Sequence, residues 1–516
     1  MKKQISTILI FFLFAISCNA QQPKKITDTF FPDADSLQNV TPALQKKKGF
    51  TNYEELIGFL NQIQQKYSDY IKIEFIGKTQ KGLDIPLVII DKNPNKSEKI
   101  KVWMQGGLHG NEPASTEGLL YFIHTIANNP EEYNEILDKT ELRIVPMANI
   151  DGYLKQDRFA ANGLDLNRDQ TKLMAPETVV LKKSFSEFNP QVGIDFHEYN
   201  PFRKDFAKMG DFGISFLFDV MFLYSGNLNV PKDIRNITDS LFVKEAKIKL
   251  DKNNLSHHDY MTTDNYHGET VFNLGSDNAR SSATNYALTD AISTLIEVRG
   301  VGLDRTSFKR RIFTTFLIAD SYLKTAVNNK DTILKTLGES KPNSEITIIS
   351  TKSMYNTTIP VINMDDYERM DYEITVKDAL KSQAKMIRSQ PFAYIVESQY
   401  SEVLDKLKLL GIKVDKLDKE TSFAVESYII SDFSISNFTY EQMILQTVKT
   451  DIIPKQKSFP SGTFIIYTNQ KNTPLLNEVL EPEAPNSFVS FGIIKTGLNQ
   501  ELPIYRIPLK NYNDEK

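Results

Sequence analysis

One cysteine, Cys18, stands in 516 residues, with a single tryptophan and six histidines. A lone cysteine allows no internal disulfide, so stability must come from buried apolar side chains rather than cross-links. Positive charge is not in excess either. Lys and Arg number 61 against 65 Asp and Glu, and the formal net charge of −4 gives no electrostatic reason to bind nucleic acid or anionic lipid. Internal repeats and low-complexity stretches are missing, which excludes a repeat architecture. The apolar run from Ile5 to Ile16 falls short of the roughly 20 residues that a bilayer span needs.

That run has another use. Lys2 and Lys3 precede it, and a positive start before a short apolar core is the pattern of an export signal, read here over residues 1–20. Two readings of its end compete. Ala15-Ile16-Ser17-Cys18 resembles a lipobox, in which Cys18 is acylated and anchors a periplasmic or outer-membrane lipoprotein. A cut after Ala20 would instead leave Gln21 first, on a secreted or periplasmic chain. A cysteine at the end of an apolar core is a poor place for a structural thiol, which favours the first.

The chain as a whole has the apolar and charged fractions of ordinary globular proteins, 41% and 24%, over a length that calls for two or three domains. Residues 21–48 are polar, with several prolines and lysines, and read as a tether. Thr51, with Glu54 three positions on, is expected to cap a helix carrying Leu56, Leu60 and Ile63. Strands are expected over 71–76, 85–90, 101–105, 142–147, 192–196 and 294–298, alternating with helices such as the one after Pro113. Such alternation predicts an α/β domain over 49–338, a mixed central sheet flanked by helices. Its functional groups belong where strands end and helices begin. Helix over 307–337 and a linker from Gly338 close it. The remainder, 339–516, reads as an α+β accessory region: a βαβ-like unit from Phe392 to Leu417, then short strands including Thr463–Thr468.

Two histidines sit where metal chemistry needs them. His109 and Glu112 lie in Gly106-Gly107-Leu108-His109-Gly110-Asn111-Glu112-Pro113, just past a strand and just before a helix. A glycine-flanked turn can aim both at one point, and zinc accepts imidazole nitrogen and carboxylate oxygen. His197 ends the strand Val192-Gly193-Ile194-Asp195-Phe196, where alternation puts Asp195 and His197 on one face. Taken alone, His-x-x-Glu is more often a polar surface turn. Of the other histidines, His257-His258 read as a solvated loop, His124 as structural on an amphipathic helix, and His267 as a residue that lines either the cleft or nothing.

The combination and order of segments carry more weight. His109-x-x-Glu112, Asn149-Ile150-Asp151-Gly152, Arg158, Asp165-Leu166-Asn167-Arg168, Asp195-Phe196-His197 and Glu297-Val298-Arg299 together resemble the zinc carboxypeptidases of the M14 (carboxypeptidase A-like) family. The resemblance covers about residues 50 to 325. It implies one zinc ion held by His109, Glu112 and His197. Glu297 would be the general base, with an ion pair to Arg299 as the bland alternative. It implies that Arg158 stabilises the oxyanion, that Asn167 and Arg168 grip the carboxylate of a peptide or protein substrate, and that Asp165 orients a ligand imidazole. Arg280 falls where the family's specificity residues lie. Facing the pocket it would favour an acidic side chain or a diaminopimelate carboxylate; facing outward it would make a surface salt bridge. Two departures stand out. Ile150 replaces a proline, and the tyrosine expected some twenty residues before the base is Gly275 by ungapped count, with Tyr266 and Tyr286 as weak substitutes.

The activity implied is removal of the last residue of a peptide by metal-activated water. The alternative is the same metal site acting as an amidase or endopeptidase on peptidoglycan stem peptides or N-acyl amino acids. A silent binding protein is a third reading, opposed by the complete ligand set and Glu297.

Overall fold

The segment ending in His197 lies in the middle of a sheet, and the other expected strands assemble around it. A computed structural model describes residues 22–96, 98–340 and 343–509, and the export signal expected over 1–20 lies outside them. In chain order the first strands are β1 (Ile71–Lys78), β2 (Asp84–Ile90), β3 (Ile100–Gly106), β4 (Thr140–Val145) and β5 (Val192–Tyr199). Then come β6 (Ile214–Phe216), β7 (Val220–Tyr224), β8 (His257–Asp259), β9 (Met261–Tyr266), β10 (Glu269–Leu274) and β11 (Ile292–Arg299). Eight of these form one sheet in the order β1-β2-β4-β3-β5-β11-β7-β8. The run β4-β3-β5-β11 is parallel, while β1, β2 and β7 join antiparallel. It is the mixed sheet expected.

Helices cover both faces. Along β3, Trp103 packs its ring 5.7 Å from Phe185 of the helix Pro176–Phe188, while a Cβ at Gly106 would strike Ser115 and Leu119 of the helix Pro113–Asn128. Residues 103 and 106 point to opposite sides of a strand, so the two helices lie on opposite faces. Trp103 is fully buried, and truncating such a side chain to alanine costs about 3–5 kcal/mol.

Three expectations are corrected. Residues 22–48 are not a tether: Ile26, Phe31, Leu37, Ala43 and Leu44 are buried. Gln22 accepts hydrogen bonds from Arg299, and Thr41 donates to the buried Glu117. A few scattered apolar residues without periodicity suffice to dock a polar segment. The helix Tyr53–Lys66 is capped one residue later than expected, by Asn52 with Glu55 in a reciprocal box. Thr51 turns inward to Glu117 instead. His257 and His258 belong to β8 rather than to a loop; one pairs with Asp251 and the other with its own strand's backbone at Asp259.

The boundary at 338/339 does not separate two bodies. β12 (Glu345–Asn363) and β13 (Arg369–Ser389) form a long hairpin that pairs with β6 and β10, giving a five-stranded sheet in the order β6-β12-β13-β10-β9. A third sheet contains β14 (Ala393–Val396), β15 (Asp415–Lys416), β16 (Thr421–Tyr440), β17 (Met443–Phe459), β18 (Phe464–Tyr467) and β19 (Glu501–Ile507). Its order is β15-β18-β14-β19-β16-β17. The βαβ-like unit is therefore split. β14 and β15 both run antiparallel to β18, which lies between them. The strands after it are not all short, because β16 and β17 form a ribbon of 20 and 17 residues.

Candidate metal centre and substrate cleft

β3 and β5 are neighbours, and that adjacency brings His109 to His197. Past β3 the chain must turn sharply. Gly107 takes a left-handed φ of +64° and a Cβ there would meet Thr116 Oγ1 at 2.7 Å; at Gly110 a Cβ would sit 2.1 Å from the Gly152 carbonyl carbon. Only glycine fits either place. Glu112 precedes Pro113, the first residue of its helix, and makes no capping bond, so its carboxylate is free to turn inward.

His109 Nδ1 lies 2.8 Å from Glu112 Oε1, His197 Nδ1 lies 2.8 Å from Glu112 Oε2, and the two Nδ1 atoms are 3.0 Å apart. One ligand atom from each residue lies within 4.8 Å of the others, and all three side chains are buried. Two metal bonds of about 2.0–2.1 Å at a tetrahedral angle subtend roughly 3.3 Å, so the spacing suits a single zinc ion. The outer nitrogens support the same fit. His109 Nε2 is 3.0 Å from Asp165 Oδ1 and His197 Nε2 is 2.9 Å from Asp195 Oδ2. The carboxylate bonded to His109 suits an imidazole with Nδ1 toward a metal, and Asp195 sets a second carboxylate beside His197, close but without hydrogen-bond alignment. Asp195 was not assigned this part from the sequence, although the i, i+2 spacing to His197 carried the signal.

The electrostatics follow from crowding these charges together. Burial pushes the Glu112 carboxyl up, but the His109 and His197 charges outweigh it and hold the group at about 2. Asp165 is likewise held far below its ordinary range, because His109, Arg158 and Arg168 overcome its burial. Glu297 behaves oppositely. Its β11 position pairs in register with His197 of β5, and burial together with the Glu112 charge raises it to about 7. Arg299 makes no pair with it. That guanidinium points to Gln22, Ser215 and the Phe216 carbonyl.

A cavity of about 500 Å³ opens beside the centre, and His109, Arg158, Asn167, Arg168, Arg280 and Glu297 all line it. Arg158 forks onto Asp165 Oδ2 at 2.8 and 3.0 Å and lies 3.8 Å from Glu112. Asn167 accepts the Ser282 N–H at its Oδ1, which leaves its amide nitrogen to donate to a ligand. The Arg168 guanidinium hydrogen-bonds, among the described residues, to the Asn167 carbonyl alone. Among the described residues, neither Arg168 nor Arg280 has a carboxylate within ion-pair distance, whereas Arg203 and Lys352 on the same wall pair with Asp205 and Asp277. Gly275 lies in the wall, Tyr286 is buried in the core with its hydroxyl on Gln105, and Tyr266 and His267 are exposed on the β9–β10 turn away from the cavity. The tyrosines that do line it are Tyr199 and Tyr260. Burial and the Glu297 charge push the Tyr260 phenol up to about 12. No local pattern in the sequence marks Tyr260.

Two imidazoles and a carboxylate around one point, a carboxyl poised near neutrality beside them and a polar cleft at the end of a parallel strand run define a metal-dependent hydrolase. Residues 56–206 match the family model described as zinc carboxypeptidase, peptidase M14. That stretch, which holds His109, Glu112 and His197, is a zinc carboxypeptidase domain by that match. Carboxypeptidase 2 of Trichophyton equinum is 28% identical over 472 residues, covering 89% of this chain and 87% of that protein. Carboxypeptidase 2 of Trichophyton rubrum is 28% identical over 471 residues, with the same coverage. Matches of this extent include most of the region after 339. Among solved structures, carboxypeptidase A from Helicoverpa armigera aligns at a TM-score of 0.44 with 18% identity, over 56% of this chain and 78% of that one. Among the described residues no helix is long and apolar enough to cross a membrane.

Proposed function

We propose that the enzyme removes the C-terminal residue of a peptide or protein, with His109, Glu112 and His197 as the zinc ligands. The observation that carries this is the pairing of the three-ligand cluster with the free Asn167 amide and with Arg168, which has no carboxylate partner among the described residues, in one cavity. A zinc ion held there supplies Lewis acidity and lowers the pKa of water to about 7. Glu297, ionised, takes the proton of the attacking water and returns it to the leaving amine. Arg158 places positive charge where the carbonyl oxygen gains negative charge. Asn167 and Arg168 bind the substrate's terminal carboxylate, to which a guanidinium forks well. Arg280, also without a carboxylate partner, favours an acidic side chain on the departing residue.

The chain acts outside the cytoplasm, exported by residues 1–20 and anchored through an acylated Cys18. Lys2, Lys3 and the apolar run before the lone cysteine support this reading. Loss of membrane association in Cys18→Ser is expected, and retention would refute the anchor. For the activity, purified protein is incubated with a peptide library, with and without a chelator. Stepwise loss of single residues from the C-terminus, abolished by chelation and restored by zinc, is expected. Cleavage confined to internal bonds or to N-acyl amides would contradict it.

A further inference from the structure

The ribbon β16–β17 reaches from the C-terminal sheet to the segment and the arginine that wall the cleft. Tyr440 pairs with Met443, so Glu441 and Gln442 form a two-residue loop, with φ of 47° and 62°. Such a loop needs left-handed backbone at both positions, which Asn-Gly supplies cheaply and Glu-Gln does not. The side chains at this strained tip are nonetheless engaged. Glu441 Oε2 accepts the Asp165 N–H at 2.9 Å, and the Glu441 carbonyl accepts from Lys172 Nζ at 3.4 Å. Gln442 Nε2 donates to the Asn162 carbonyl at 2.5 Å. Behind the tip, the Tyr440 ring lies 5.0 Å from the Arg280 guanidinium, whose own backbone N–H donates to Asn486 Oδ1 at 3.2 Å.

All these contacts fall on the segment 157–173, which carries Arg158, Asp165, Asn167 and Arg168, and on Arg280. Strain kept at a loop tip is explained when its side chains hold something else in place. We propose that the C-terminal region is part of the substrate site, with Glu441 and Gln442 as positioning residues that brace segment 157–173 and Tyr440 as the support of Arg280. It rests on the carboxypeptidase reading above for its kinetic consequence, though not for its structural one.

The test replaces the tip with the turn its backbone prefers, Glu441→Asn with Gln442→Gly. The ribbon keeps its register and the tip loses its strain, so thermal stability is expected to hold or rise and zinc content to stay the same. Hydrogen exchange across 157–173 is expected to quicken. KM for a peptide releasing its last residue is expected to rise about tenfold, the worth of one hydrogen bond to a charged group, with kcat changed less than about threefold. Glu441→Gln keeps an acceptor for the Asp165 N–H and is expected to rescue most of the loss. Unchanged exchange and unchanged KM in the Asn-Gly variant would overturn the proposal. If the native enzyme released no terminal residue the carboxypeptidase reading would fall, and the exchange measurement would still decide the brace.

Discussion

Asp165 ties His109, Asn167 and Arg158 together, and Asp165→Asn exposes how much rests on it. One carboxylate oxygen faces His109 Nε2 at 3.0 Å and accepts the Asn167 N–H at 2.8 Å; the other takes both Arg158 bonds. The asparagine keeps the shape and loses the charge, and its NH2 group must face either the Arg158 guanidinium or the His109–Asn167 donors. If the oxygen stays toward Arg158, His109 is no longer held with Nδ1 toward the metal. Loss of such a partner costs about 10–100-fold in metal affinity, or about 1.4–2.7 kcal/mol. Competition with a chromophoric chelator measures the zinc Kd directly, with circular dichroism as a check on folding. Asp195→Asn is expected to act through His197 in the same way and to a similar extent. A zinc Kd within twofold of the native value for both variants would mean that neither carboxylate orients its imidazole.

Other consequences are as concrete. Glu297→Gln is expected to retain zinc and to lose about 10²–10⁴-fold in kcat, as removal of a general base does; activity within tenfold of native would contradict that role. Glu478, buried among Asn227 and Asn229, is raised to about 7 chiefly by burial. Its folded form keeps the proton that the unfolded chain surrenders near 4.5, so stability falls as pH climbs through that window, by up to about 3 kcal/mol. Urea unfolding at pH 5 and pH 8 should show that slope flattened in Glu478→Gln. Glu117→Ala strands the Thr41 and Thr51 hydroxyls and is expected to cost about 1–3 kcal/mol per unsatisfied group. Protease cutting between 22 and 48 should then become faster than in the native chain.

Much of the centre was legible because its signals are local. Alternation over Val192–His197 shows which side chains share a face, and glycines around His109 announce a turn too tight for other residues. What no local pattern carries is strand order. Gln105 pairs with Asp195 and Glu297 with His197 only because β3, β5 and β11 are adjacent, and the order of motifs, rather than any spacing, pointed to that assembly. The N-terminal segment was misread for a physical reason. Ile26, Phe31, Leu37 and Leu44 follow neither helix nor strand periodicity, yet each finds a hydrophobic recess. The β16–β17 ribbon escaped notice because much of it is exposed on both faces, so its alternation of apolar and polar residues is weak. Tyr440 reaches Arg280 through that ribbon's length and twist, which the sequence does not express.

An anomalous diffraction map from crystals of the zinc-loaded enzyme locates the ion and the atoms that hold it. A single peak is expected about 2.0–2.2 Å from His109 Nδ1, His197 Nδ1 and a carboxylate oxygen of Glu112, with Glu297 beside it and outside bonding range. A peak held by other residues, or by either imidazole through Nε2, would contradict that ligand set.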